Sequence, residues 1–338
     1  MRRCVALVGA GEIVRAAHIP AYTQLGLEIR GIWDLDPRRG GEIARSVGVP
    51  AFGSLEALLD DDETVVVDVA VPPQEQHSVL YRVFAAGKHA LVQKPLAPTL
   101  DEANNLVDAA REAGVLLAVN QQMRWEPAIS TCYRLLTEGR LGRVRRASFT
   151  LKRPMIAESL PYWVASAPRL TMLLNSIHFI DSSRFLFGEP MVVSARTWKR
   201  PDFAVIGETG AELEVTFASE VSVSILDELV SPRDPLVSVF QLVGSDAIVD
   251  ASFGLWVDYP KGAADLIQVT WSNGEVEHIA ARERWIPDAF KGPITELFAA
   301  IEERRPPTID GADHLRTLRV VEAAYESAAR ASPVELRI

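Results

Sequence analysis

Two stretches of this sequence carry side chains able to move a proton. The first is Gln93-Lys94-Pro95-Leu96, which follows the apolar run His89–Val92. A lysine at the end of a buried strand points into a crevice and not into bulk water. Partial burial and a neighbouring positive charge would depress its pKa and let it exchange a proton with a hydroxyl. Pro95 keeps Lys94 out of helical geometry. The second stretch is Leu174-Asn175-Ser176-Ile177-His178-Phe179-Ile180-Asp181. On a helix Asn175, His178 and Ser182 share one face, while Leu173, Ile177 and Ile180 form an apolar stripe. His178 could carry a proton near neutral pH, Asn175 could hold a hydroxyl, and Asp181 could orient the imidazole. The competing reading is a surface lysine and a structural histidine. No second His or Cys lies at zinc-ligand spacing, so no metal site is expected.

A third stretch could hold the electron carrier. Val5–Val14 reads V-A-L-V-G-A-G-E-I-V, a strand turning at once into a helix. Gly9 permits the turn, and Gly11 offers bare backbone to a pyrophosphate. The N–H groups around Glu12 and Ile13 open the helix and favour an anion. Asp34 closes the run Glu28–Trp33, where an acid would grip an adenosine ribose. That acid favours NAD; Arg38 and Arg39 leave NADP open. The fingerprint's third small residue is replaced by Val14, so the helix is expected to sit slightly further out.

These residues need a frame. Strand-like and helix-like segments alternate through the first 122 residues. Strands are expected at Val5–Val8, Glu28–Trp33, Ala51–Gly53, Thr64–Val71, His89–Val92 and Val115–Val119. The helices between them start at Arg15, Pro37, Leu55, Gln74 and Thr99. That rhythm implies right-handed crossovers and a doubly wound parallel sheet of six strands. Its ligand crevice lies at the carboxyl ends of the strands. Gly9–Glu12, Asp34, Val71–Pro73, Gln93–Pro95 and Asn120–Gln122 should therefore gather on one rim. Asn120 and Gln122 could fix a carboxamide or a sugar hydroxyl. Trp125 could stack on a ring or anchor a domain interface, and His77 reads as a helix partner.

From Met123 the pattern changes to a bridging helix, Glu126–Glu138, and then strand-like runs. They begin at Val144 and recur at Met191–Trp198, Ala211–Phe217, Val221–Asp227, Leu236–Val243, Ala247–Asp250, Leu255–Asp258 and Ile267–Trp271. One helix, Thr171–Phe187, interrupts them, and Ile294–Glu303 and Ala312–Ala329 close the chain. An α+β domain with an open, mostly antiparallel sheet is expected over residues 123–338, after a Rossmann domain over 1–122. Arg124, Trp125 and the loop Arg153–Arg169, with Tyr162, Trp163 and Arg169, are candidates for a substrate wall.

The bulk properties narrow the class. The 338 residues are 48% hydrophobic and 24% charged, enough for two cored domains. A net charge of −10 argues against a nucleic-acid surface. Two cysteines offer no disulfide framework. No run has membrane-spanning length and no cleavage pattern follows Met1-Arg2-Arg3, so a cytoplasmic protein is expected.

Together these motifs resemble the Gfo/Idh/MocA family, named for glucose–fructose oxidoreductase, inositol dehydrogenase and a rhizopine catabolism protein. The likeness rests on Gly9-x-Gly11 with His18, Pro72-Pro73 with His77, Lys94-Pro95, the His178 helix and the closing stretch Asp310–Val334, with a strand-like Val334–Ile338. It implies hydride transfer between NAD(P) and a carbinol carbon of a sugar, cyclitol or related compound. The residues matching Lys94 and His178 would face the reacting hydroxyl. It also implies a homodimer or homotetramer through the second sheet. Two rivals remain: a tightly held NAD used for redox-assisted glycoside cleavage or coupled oxidation and reduction, and a cofactor-binding regulator. The chain departs from the family in having Gln93 for the usual Glu, which marks a Gln-Lys-Pro sub-branch. It also has Leu174 where many members carry an Asp four residues before the histidine.

Overall fold

The computed structural model describes residues 2–336; Met1 and the last two residues of Val334–Ile338 lie outside the described residues. The chain divides into two compact units. The first runs to Gln122 and also takes in Ile286–Leu315; the second comprises Met123–Trp285 and the chain from Arg316 onward. The return of Ile286–Leu315 amends the expectation of an uninterrupted second domain.

In the first unit β1 (Cys4–Val8), β2 (Glu28–Trp33), β3 (Val66–Val69), β4 (His89–Gln93) and β5 (Leu117–Asn120) form a parallel sheet in the order β2-β1-β3-β4-β5. The expected strand Ala51–Gly53 is only a bridge from Ala51 to Ile32 on the outer side of β2. With that bridge the order is the doubly wound one, its third strand reduced to one pair. β1 and β3 are buried throughout, as apolar strands covered on both faces must be.

Local chemistry sets the helices. After the first turn the chain winds as a π-helix over Val14–His18 before becoming α1 (Ile19–Gln24). Val14 is fully buried where the fingerprint wants a small residue, and the wider π turn accommodates it. α2 (Pro37–Val47) has Asp36 as its cap and ends at Gly48 in the left-handed region. Ser54 caps α3 (Leu55–Leu59). α4 (Pro73–Ala85) starts on its proline, and Thr99 caps α5 (Leu100–Glu112).

The second unit opens with α6 (Pro127–Thr137), capped by Glu126. β6 (Arg146–Pro154) follows, then a short α7 (Tyr162–Ala165) inside the loop before Arg169. The next helix starts as a π turn over Met172–Ser176 and continues as α8 (Ile177–Phe187). β7 (Pro190–Trp198), β8 (Gly210–Phe217), β9 (Ser222–Val230), β10 (Val237–Val243), β11 (Ala247–Ser252), β12 (Leu266–Trp271) and β13 (Val276–Ala280) complete the run. The expected strand Leu255–Asp258 is a 3₁₀ turn over Gly254–Val257, and β13, whose residues lack alternation, was not foreseen. α9 (Lys291–Glu303), α10 (Gly311–Arg330) and β14 (Val334–Glu335) close the chain.

The second sheet has nine strands, β13-β12-β11-β10-β6-β9-β8-β7-β14, antiparallel except for the parallel pair β6–β9. One face is apolar and carries α8: Phe149 of β6 stacks on Phe179, with ring centroids 5.0 Å apart, and packs at a tilt against Phe240 of β10 at 4.5 Å. No helix of the described residues is long and apolar enough to cross a membrane.

The turn after β1 has little latitude. Gly9 has φ +102°, and a Cβ there would lie 2.4 Å from the Ala70 carbonyl oxygen. Gly9→Ala is expected to cost about 2 kcal/mol or more in urea unfolding. Gly11→Ala, whose Cβ would meet nothing within 4 Å, is expected to leave stability unchanged.

Candidate active site

In a parallel sheet all strand ends of one polarity share an edge. The residues after β1 to β5 therefore form a rim: Gly9–Ile13, Asp34, Val71–Pro72, Gln93–Lys94 and Asn120–Gln122. Asp34 is buried and tied into this rim. Its carboxylate accepts from the backbone N–H of Ala10 at 2.7 Å and of Asp36 at 2.8 Å. Arg39 adds two bonds, at 2.7 and 3.1 Å. Arg39, not Arg38, is thus the cation on the acid; exposed Arg38 contributes a backbone N–H to the Asp36 cap. A cavity of about 420 Å³ opens beside Asp34, with Leu35, Phe52, Ser54 and Arg82 among its walls.

The rim suits a dinucleotide. Gly11 leaves its Cβ position open. Asn120, fully buried, has no partner for either end of its amide, and the Gln122 Oε1 has none. Buried polar groups seek partners, and a carboxamide or hydroxyl would satisfy these.

Lys94 is half-buried, and its peptide to Pro95 is cis. The end of β4 is held by Gln76, whose Nε2 donates to the Gln93 carbonyl at 2.8 Å and to the Val71 carbonyl at 3.3 Å. Sequence analysis singles out His77 on this helix but not its neighbour Gln76. His77 lies on the exposed side of α4 with its ring 4.6 Å from that of Tyr81. The missed signal was a glutamine in the apolar stripe Pro73, Gln76, Val79, Leu80, Val83. The returning segment supports the same edge. Gln121 accepts from the His314 Nδ1 at 2.9 Å and donates to Asp313 at 3.1 Å, while the Leu96 N–H reaches the His314 Nε2 at 3.3 Å.

In the second unit the half-buried His178 meets the Trp285 ring edge-on, 5.9 Å between centroids. The single polar face expected for this helix is divided. Ser182 is fully buried. Asp181 does not serve the imidazole: its carboxylate takes two bonds from Arg124, at 2.7 and 2.8 Å, and one from Thr317 at 3.0 Å. Arg124 therefore forms a buried bidentate ion pair through its Nε and one Nη. Arg169 is likewise paired with Glu322 and lies over the Tyr325 ring at 4.7 Å. Trp125 ends a 3₁₀ turn over Gln122–Trp125, and Tyr162 and Trp163 lie on α7, with Tyr162 86% exposed.

Asn175 faces a carboxylate that the sequence reading overlooked. Its Nδ2 donates to Asp227 on β9 at 2.7 Å, and the Ser176 hydroxyl donates to the same oxygen at 2.7 Å. Asp227 takes an inward position among Val223, Ile225 and Leu229, and an acid in that apolar register was the available clue. Burial pushes its carboxyl up to about 6, against the two hydrogen bonds and nearby Arg153 that hold it down. The Arg153 guanidinium lies over the Trp256 ring at 4.3 Å.

A glycine turn at a helix start, an acid after β2 and a parallel sheet with an amide-lined edge define a dinucleotide-binding unit. Residues 3–121 match the family model described as "Oxidoreductase family, NAD-binding Rossmann fold", and residues 134–336 match its "C-terminal alpha/beta domain". The chain belongs to the Gfo/Idh/MocA oxidoreductase family. It is 28% identical to D-apiose dehydrogenase of Paraburkholderia graminis over 98% of this chain and 89% of that one. It is 27% identical to D-xylose 1-dehydrogenase (NADP(+)) 2 of Haloferax volcanii over 98% of each. Among solved structures, an oxidoreductase from Agrobacterium radiobacter in complex with NAD+, L-tartaric acid and magnesium superposes with a TM-score of 0.86 at 23% identity, covering 99% and 98% of the two chains.

The raised pKa of Asp227 makes a stability prediction. Its folded value of about 6 lies above the ordinary 3.8, so its ionisation destabilises the fold as pH rises through that interval. Relative to Asp227→Asn, the wild type is expected to lose about 3 kcal/mol between about pH 4 and about pH 7 in urea titrations. A pH-independent difference would show an unperturbed carboxyl.

Proposed function

We propose that this oxidoreductase transfers a hydride between NAD(P) and a carbinol or ketone carbon of a sugar, cyclitol or sugar derivative. Lys94 is the acid/base, with His178 and Asn175 as polar groups toward the substrate. The half-buried Lys94 at the carboxyl end of β4, on the same edge as the open Gly11 turn and the unpartnered Asn120 amide, carries this reading. The sugar dehydrogenases among its relatives support the substrate class.

The dinucleotide would be held by the backbone of Gly9–Ile13, by Asp34, by Val71 and Pro72 and by the amides of Asn120 and Gln122. When bound, it accepts or supplies the hydride. The protein's own task is to align the carbon, exclude water and move one proton at the Lys94 Nζ. NAD is the preferred form because Asp34 would repel a 2′-phosphate. Arg39 lies on that carboxylate and offers NADP a counter-charge. The nine-stranded sheet, with one face left free of α8, is the surface proposed for a homodimer or homotetramer, and the cytoplasm is the proposed location.

Lys94→Met is expected to lower kcat by about 10³-fold in an NADH-formation assay over a panel of aldoses and cyclitols, with NAD affinity retained in calorimetry. Retained turnover would remove Lys94 as the acid/base, and reaction without net NADH formation would favour the tightly held cofactor. Arg39→Ala is expected to raise the NAD-over-NADP ratio of kcat/KM about five- to tenfold, the size of one partly exposed charge contact.

A further inference from the structure

We infer that Gln93 is a positioning residue that keeps the buried His18 imidazole neutral, with its proton on Nδ1, and steadies the backbone of Lys94 through the same side-chain amide. The functional half of this inference rests on Lys94 being the acid/base.

The deduction begins at a group whose proton is not in question. The backbone N–H of Lys94 donates to the Gln93 Oε1 at 3.2 Å. That end of the amide is therefore the carbonyl, and the other is the NH₂ group. The NH₂ nitrogen lies 2.8 Å from the His18 Nε2. A donor at that distance requires a lone pair on Nε2, so the proton of the ring sits on Nδ1. Nδ1 lies 2.5 Å from the Asp68 Oδ2, which accepts it, and the Tyr22 hydroxyl donates to the same oxygen at 2.7 Å. An imidazolium would need the amide reversed, with its NH₂ group facing the Lys94 N–H, donor against donor.

The surroundings hold this arrangement. His18 and Asp68 are fully buried. The groups facing the ring are Tyr22 from the first helix, Asp68 from β3, Gln93 from β4 and the edge of Phe290 at 5.1 Å. Of these, Tyr22 and Asp68 carry ionisable groups. Burial, with Asp68 beside it, raises the Tyr22 hydroxyl well above its ordinary value, so it stays a donor. Gln93 is also held at its carbonyl by Gln76.

The residue type at 93 consequently decides where charge lies. A glutamate has no N–H to offer Nε2. Its oxygen would draw a second proton onto the ring, and a negative charge would then adjoin Lys94. Glutamine leaves the negative charge on Asp68, on the far side of the imidazole.

The test is the proton position on ¹⁵N-histidine-labelled protein, read in two-bond ¹H–¹⁵N spectra from about pH 6 to about pH 9, the range in which a free imidazole titrates. The expected wild-type result is one ring that stays in the neutral Nδ1–H form throughout, assigned as His18 by its loss in His18→Gln. In Gln93→Glu both nitrogens of that ring are expected to be protonated. If that variant fails to fold, Gln93→Leu, which deletes both the donor to Nε2 and the acceptor for the Lys94 N–H, is expected to free Nε2 from its donor, so that an Nε2–H or doubly protonated form of the ring appears. A doubly protonated or Nε2–H ring in the wild type overturns the assignment, as does a spectrum unmoved by either substitution. With the best sugar of the panel, Gln93→Glu is also expected to lower kcat about fivefold or more near neutral pH at unchanged KM for NAD. An unchanged kcat refutes the link to Lys94. Activity surviving in Lys94→Met would instead refute the acid/base reading, while the spectra still decide the role of Gln93.

Discussion

A carboxylate with no exposure to water, Asp68 in the middle of the first sheet, constrains the whole cofactor-binding unit. A buried charge is tolerated only where donors reach it. Here they reach Oδ2 from the segment that follows the glycine turn, His18 from the end of the π turn and Tyr22 from the helix beyond it, while Oδ1 is left without a partner. The carboxylate thus fixes how the first helix lies on β3. The outer nitrogen of the same imidazole then meets Gln93 at the end of β4. The turn that would take the pyrophosphate and the strand end that bears Lys94 are joined by one hydrogen-bonded chain. The π turn has a place in that geometry, because it ends on His18 while absorbing the bulk of Val14.

Much of this was legible because the relevant signals are local. Glycines at a turn, prolines at a first helical turn, Asp36, Ser54 and Thr99 as caps, and β-branched buried strands each act within a few residues. They located the parallel sheet and its rim. Local signals also fail in characteristic ways. Ala51–Gly53 has strand-like residues but only one pairing partner, so it stays a bridge. Leu255–Asp258 has the composition of a strand and no neighbour to pair with. Ile286–Leu315 joins the first unit through contacts remote in sequence: the Val119 N–H meets the Ile309 carbonyl at 2.8 Å, and Ala118 bridges Asp310. No periodicity within that segment reports such a partner.

The polar residues divide along the same line. Sequence spacing can say which side chains share a helical face, but not which ones another element will occupy. Asp181 and Arg124 looked like site residues because both are charged and close to the right elements. Each found the other, and the buried bidentate pair takes up the Asp181 carboxylate that the helix spacing had assigned to the imidazole. Asp227, Gln76 and Asp68 went unnoticed for the opposite reason. Each is a polar residue in an apolar register, which reads as a blemish in a strand or helix pattern. In the folded chain such positions face inward, and their hydrogen bonds set the orientation of the groups in front of them.

The two units apply this device independently. In the first, Asp68 stands behind His18 and Gln93. In the second, Asp227 stands behind Asn175 and Ser176. In both, the charge is set back by at least one neutral hydrogen-bonding group. An ionised carboxylate placed at the surface of a cleft would be hydrated and mobile, and it would strongly bias any nearby ammonium toward its protonated form. Set back behind an amide or an imidazole, it still dictates which end of that group is donor and which is acceptor, at a smaller electrostatic effect on whatever lies beyond.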